Sequence, residues 1–151
     1  MRRGYLYKYA QRLGCNKIAL GHHFDDAIET IVMSMFYAAE MRTMMPKLHS
    51  LNYPGMELIR PLYLVKEKDI EAWVRYNDLS FVRCACSVTD RAQEDHGSKR
   101  AEIKALLQQL RKVNDQIDIN IFRSVENVNL ETIISYHKGD QYTSFLDDYD
   151  Q

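Results

Sequence analysis

The densest group of chemically able residues is Gly21-His22-His23-Phe24-Asp25-Asp26, followed by Glu29. Two imidazoles can donate hydrogen bonds to anionic oxygens. Two adjacent carboxylates can hold a magnesium ion, which takes hard oxygen ligands and shares its shell with phosphate. Gly21 lets a ligand come close to the backbone, or lets the chain adopt a positive φ. A structural reading of the same residues stands beside this one. Asp26 as an N-cap with Glu29 at N3 makes an aspartate capping box, and acidic residues in a first turn suit the helix dipole. In that reading His22 and His23 are solvated turn residues.

The elements around the group favour a site. Lys17-Ile18-Ala19-Leu20 is a short apolar run that stops at Gly21 and reads as a buried strand. Ile28, Ile31, Val32, Met35 and Phe36 repeat with helical period after the two aspartates. In an open α/β sheet, ligands bind at the carboxyl ends of the strands. Upstream, Leu6, Tyr9, Ala10 and Leu13 define a helix stopped by Gly14. Downstream, residues 41–55 read as irregular, with Pro46 and Pro54 limiting helix. Glu57 to Arg60 reads as a second strand, and Lys68 to Tyr76 as a helix. Ser80 to Arg83 reads as extended and Val88 to Ser98 as a polar loop. A strong helix follows around Ile103, Leu106, Leu107 and Leu110. Further helical pieces are expected near Phe122, Val125 and Leu130 to Ile134, before an acidic tail. Only two strands are legible, against about five or six in a doubly wound sheet. Other segments must supply strands, or the sheet belongs to a larger fold, or it covers an open edge by oligomerising.

With 151 residues, 46% hydrophobic and 27% charged, the chain has the size and composition of one globular domain. Lys plus Arg is 20 and Asp plus Glu is 21, a net charge of −1, so there is no global bias toward nucleic acid. Three cysteines, Cys15, Cys84 and Cys86, are too few for a disulfide scaffold. No apolar run approaches the roughly 18–20 residues of a membrane span, so a cytoplasmic protein with no membrane partner is expected. The six glycines are too dispersed for a Walker or Rossmann phosphate loop. Cys84 and Cys86, one residue apart, are weak as a zinc motif, and two reduced thiols fit equally well. Tyr5, Tyr7 and Tyr9 with Arg2, Arg3 and Lys8 offer a basic aromatic face for RNA, although Tyr9 fits the packing stripe. Lys99, Arg100, Lys104, Arg111 and Lys112 read as a solvated basic face.

Leu20-Gly21-His22-His23-Phe24-Asp25-Asp26, then Glu29-Thr30, resembles the second signature of the PP-loop ATP pyrophosphatase superfamily. Further segments are similar to its tRNA 2-thiocytidine synthetase branch, in order: Arg2 to Tyr7, Met35-Phe36-Tyr37, Met44 to Leu48, Ile59 to Leu62, Lys66 to Ile70, and Cys84-Ala85-Cys86. The resemblance covers about residues 2–90. It implies an α/β chain, a partial Rossmann-like adenine-nucleotide α-hydrolase fold with few strands and additional C-terminal helices. Residues 1–90 would be the C-terminal part of a PP-loop domain, and 91–151 a helical extension.

The implied chemistry is ATP-dependent tRNA thiolation, in which a nucleobase oxygen is adenylated, pyrophosphate leaves, and sulfur from a donor replaces the activated oxygen. By resemblance, Gly21, His22 and His23 line the nucleotide pocket, and Asp25 and Asp26 act near magnesium and the phosphates. Lys47 and Arg60 contact phosphate or tRNA, and Cys84 and Cys86 are ligands of a 4Fe–4S cluster completed by cysteines from elsewhere. The branch's Ser-Gly-Gly loop and Cys-x-x-Cys pair have no counterpart here. The expected partners are therefore ATP, tRNA, a sulfur donor, and either a second copy or a chain supplying the missing N-terminal half. The alternative is a binding or assembly subunit, or a structural remnant, without catalysis of its own.

Overall fold

The computed structural model describes residues 2–81, 99–147 and 149. Helix α1 (Arg2–Arg12) ends at Gly14, whose φ of 70° closes the turn. Strand β1 (Lys17–Ala19) follows, then helix α2 (Phe24–Ala38). Strands β2 (Lys47–His49) and β3 (Glu57–Ile59) precede helix α3 (Glu67–Tyr76). Helices α4 (Lys99–Val113) and α5 (Ile117–Ser124), and strands β4 (Ser135–Lys138) and β5 (Gln141–Ser144), complete the described elements with two short 3₁₀ turns.

The first sheet has the order β1-β3-β2, with β1 parallel and β2 antiparallel to β3. The parallel pair needs a crossover, and α2 lies within it. Strand β2 falls in the stretch expected to be irregular. Lys47, Leu48 and His49 are all exposed, so they carry no alternation to read. Pairing with β3 forms the strand, and the bonds Arg60 N–H to Pro46 O (2.8 Å) and Ser50 N–H to Met56 O (2.9 Å) bracket it. Lys17 and Glu57 face each other across β1 and β3 as an ion pair, which holds the Glu57 carboxyl below its ordinary range.

Among the described residues β1 has one neighbour, so its second edge is open. Asn16 O and Leu20 N–H bond to β3, at Glu57 and Ile59. By the alternation of a strand, the backbone groups of Lys17 and Ala19 point to the open side.

The core lies on α2. Phe24, Ala27, Ile28 and Val32 pack with Tyr63, with Ile103 and Leu107 of α4, and with Phe122 of α5. The Phe122 ring sits 5.0 Å from Phe24 and 5.7 Å from Tyr63. The division expected at residue 90 therefore does not coincide with a break in the core. Helix α3 buries no residue fully, and Trp73, 59% exposed, borders an apolar recess with Leu62, Val65 and Ile70.

The C-terminal extension contains the expected helices but ends in a hairpin rather than in helix. Strands β4 and β5 join through Gly139-Asp140, with Gly139 at φ 63°. A two-residue Gly-Asp loop is a hairpin signal, because the first position needs a positive φ. The cross-strand pair His137 and Tyr142 has ring centroids 4.9 Å apart. Among the described residues no helix is long and apolar enough to cross a membrane.

Candidate functional site

The turn from β1 into α2 is pinned at both ends. Leu20 N–H donates to Ile59 O at 2.9 Å, and Phe24 N–H donates to Val65 O at 2.9 Å. Between them Gly21 is exposed, and a Cβ added there would meet nothing within 4 Å. Its conformation is not one that demands glycine, so the free space before it is the notable property. His22 and His23 are half-buried beside it.

The helix starts earlier than expected. His23 is the N-cap of α2, and Asp26 stands at N3, where its Oδ2 accepts the His23 N–H at 3.0 Å. The expected box, Asp26 with Glu29, is shifted by three residues. Phe24, the first helical residue, is a member of the core.

Asp25 is 7% exposed, and both of its oxygens are engaged. Oδ2 accepts the Glu67 N–H at 2.7 Å, and Oδ1 accepts from Arg111 Nη2 at 2.7 Å. Arg111 Nε also forks onto both oxygens of Asp118, at 2.8 and 3.0 Å. Burial works against the Arg111 charge, but Asp118 and Asp25 together raise its pKa.

Asp26 is less committed. Its Oδ1 lies 3.5 Å from Arg100 Nη2, and its Oδ2 lies 3.4 Å from His23 Nε2. Glu29 is 6% exposed and meets Arg100 Nε at 3.1 Å. Burial lifts the Glu29 carboxyl above its ordinary range, against the pull of Arg100 and Lys104. Lys104 pairs with Glu67 at 2.9 Å, which raises the lysine's own pKa.

Among the described residues, no group of three or more His, Cys, Asp or Glu side chains is placed to hold a metal ion. Asp25 is spent on Glu67 and Arg111. A magnesium ion here would need phosphate oxygens for most of its shell, with Asp26 the carboxylate in reach. Arg60 is 8% exposed and donates from Nη1 to Met45 O, so it clasps the turn before β2 rather than facing solvent. Lys47 is exposed on β2. Gly21, His22, His23, Asp25 and Asp26 thus come together in one turn, and the register Ala19–Ile59–Lys47 puts Lys47 and Arg60 at the same end of the sheet. Cys84 and Cys86 lie outside the described residues, and Cys15 is an exposed free thiol.

The sequence reading missed the role of α4. Arg100 and Lys104 are part-exposed and Arg111 half-buried, but they are more than a solvated face. They form a seam of ion pairs with Asp26, Glu29, Glu67 and Asp25. Lys99 sits 4.8 Å from the Tyr37 ring centroid. The spacings of four and seven residues put the three cations on one helix face, and the unmatched acids of α2 were the complementary signal.

An open sheet whose parallel strand ends in a glycine, two histidines and a helix N-terminus defines an α/β protein, a class in which ligands bind at the strand ends. The chain belongs to the PP-loop domain family, which matches residues 1–110. It is 38% identical over 128 residues to the tRNA-cytidine(32) 2-sulfurtransferase of Geobacter sulfurreducens, a match covering 85% of this chain and 48% of that one. The corresponding protein of Methylobacillus flagellatus is 40% identical over 128 residues, covering 85% and 40%. The chain thus spans about half the length, or less, of these curated relatives. The solved U34-tRNA thiolase NcsA from Methanococcus maripaludis, with its 4Fe–4S cluster, shares the fold at a TM-score of 0.60 and 19% identity. That likeness covers 93% of this chain and 47% of the thiolase.

Proposed function

We propose that this chain is the nucleotide-adjacent half of an ATP-dependent tRNA thiolase. The substrate class is a cytidine in tRNA, the class named for the relatives. In the proposed reaction a nucleobase oxygen attacks the α-phosphorus of ATP and pyrophosphate leaves. A sulfur nucleophile from a donor then displaces AMP from the activated carbon. The observation that carries this reading is the turn at the end of β1, where Gly21 opens on free space beside His22, His23 and the N-terminus of α2.

In this reading Gly21 gives the nucleotide close approach to the backbone, and His22 and His23 donate to its anionic oxygens. Asp26, rather than Asp25, is the carboxylate that shares a magnesium ion with the phosphates. The bound ion would offset phosphate charge as the pyrophosphate departs. Lys47 remains a candidate for a tRNA or phosphate contact. Arg60 supports it by fixing the turn before β2. Cys84 and Cys86 would be two of the thiolate ligands of an iron–sulfur cluster, the others coming from outside this chain. The phosphate-binding loop would likewise come from the part of the relatives that this chain does not span. The open edge of β1 is where an added strand would set that loop beside Gly21.

The test is calorimetric titration with Mg-ATP of the wild-type chain and of Gly21→Val. The expected result is saturable binding that weakens at least about tenfold in the variant, with thermal stability unchanged because nothing lies within 4 Å of the new Cβ. No heat at millimolar ATP, or equal heat from both proteins, would count against the nucleotide site.

A further inference from the structure

We propose that Arg111 is a positioning residue for the β1–α2 turn, acting through Asp25; its relevance to nucleotide binding rests on the reading just given. Arg111 lies one position beyond the segment matched by the family, so membership assigns it nothing.

Asp25 joins two helix starts. It stands at the second position of α2, and it caps α3 from 42 residues away by accepting the Glu67 N–H. Lys66, the N-cap of α3, makes no side-chain cap of its own. A carboxylate held by one backbone donor still has a free oxygen and a choice of rotamer. Arg111 removes that choice, with Nη2 on Asp25 Oδ1 and Nε on Asp118 in the first turn of α5. The result is a continuous path, Asp118 to Arg111 to Asp25 to Glu67 N–H, which ties α5, α4, α2 and α3 together.

The geometry suits a guanidinium best. Its planar fork reaches two carboxylates in different directions at once, whereas an ammonium is a single point charge. The other two cations of the ion-pair seam do not do this work. Arg100 serves Asp26 and Glu29, and Lys104 serves Glu67. Asp25 is adjacent to Asp26 and two residues from His23, and Phe24 between them is bonded to Val65. The first turn of α2 is therefore fixed as a unit, and with it the direction in which His22, His23 and Asp26 are presented.

The experiment compares Arg111→Gln and Arg111→Lys with wild type in the full chain, using amide hydrogen exchange and Mg-ATP titration. The amides of Phe24 and Glu67 report the turn, and those of Ile31 and Val32 report the body of α2. In Arg111→Gln, exchange at Phe24 and Glu67 is expected to accelerate about tenfold more than at Ile31 and Val32, because a buried charged hydrogen-bond partner is lost. Mg-ATP affinity is expected to fall about tenfold, and Arg111→Lys to recover part of both effects. Uniform acceleration across all four amides would make Arg111 a general stabiliser and overturn the proposal. So would unchanged exchange at Phe24 and Glu67, or a lysine variant no better than glutamine. If wild type binds no Mg-ATP while exchange responds locally, the positioning role stands and the nucleotide reading falls.

Discussion

At Asp25 two helix N-termini and a guanidinium converge on one carboxylate. Each helix start has unsatisfied N–H groups and a partial positive charge, so an acid there is stabilised before any side chain joins it. Replacing Asp25 by alanine removes the cap of α3 and leaves Arg111 with a single carboxylate. The expected cost is about 2–4 kcal/mol, measured by urea denaturation. Glu29 behaves in the opposite way. Its folded carboxyl has a raised pKa, so the folded chain holds the proton more tightly than the unfolded chain does. The associated stability is fully present below the ordinary value of 4.5 and is lost as pH rises through the higher folded value. Glu29→Gln has no proton to lose. Its stability relative to wild type should therefore climb as pH rises above the ordinary value of 4.5. Parallel curves for the two proteins across that range would contradict the assignment of Glu29 as a desolvated acid.

Helix α2 shows how much of an element can be read before its structure is known. Of its periodic residues, Ile28, Ile31 and Val32 are buried as the period requires, whereas Met35 and Phe36, nearer its end, are exposed. Its start lies three residues before the one the Asp26–Glu29 motif predicts: that motif is a valid capping box in isolation, but Asp26 is spent on the His23 N–H and Phe24 is buried in the core. Its end is less visible still. Ala39 sits in the left-handed region at φ 51°, with its own N–H and that of Glu40 both returned to Ser34 O, a helix closure normally built on glycine. Ala39→Gly should therefore stabilise the chain by about 0.5–1 kcal/mol, because glycine avoids the clash of the alanine Cβ. A lower urea midpoint in that variant would show that the turn is not strained. Strand β2 and the 135–144 hairpin were invisible for a common reason. Their residues are mostly exposed and polar, so no hydrophobic period marks them, and only the Gly139-Asp140 pair carried a signal. The candidate site is legible in the sequence as a cluster at the end of β1. The cations opposing it are not, because Arg100, Lys104 and Arg111 are far away in sequence and resemble any solvated helix face.

Among the described residues, the core is built on helices and the first sheet has one open edge. The open edge has a measurable consequence. The amides of Lys17 and Ala19 face away from β3 and should exchange quickly, while those of Ile18 and Leu20 should be slow. Addition of a strand from the remainder of a PP-loop protein, or from a second copy, should protect Lys17 and Ala19 without altering the other two. Alternating protection that does not respond to any added chain would mean that the edge is a terminus of the sheet and not a junction. The same molecule carries its own optical reporter. Trp73 is the one tryptophan of the chain, and it stands largely in water at the rim of the Leu62–Val65–Ile70 recess. Its emission should already lie at long wavelength in the native state, so unfolding changes its colour little. A blue shift on mixing would therefore signal that something has covered α3, a spectral change that folding of this chain alone does not produce.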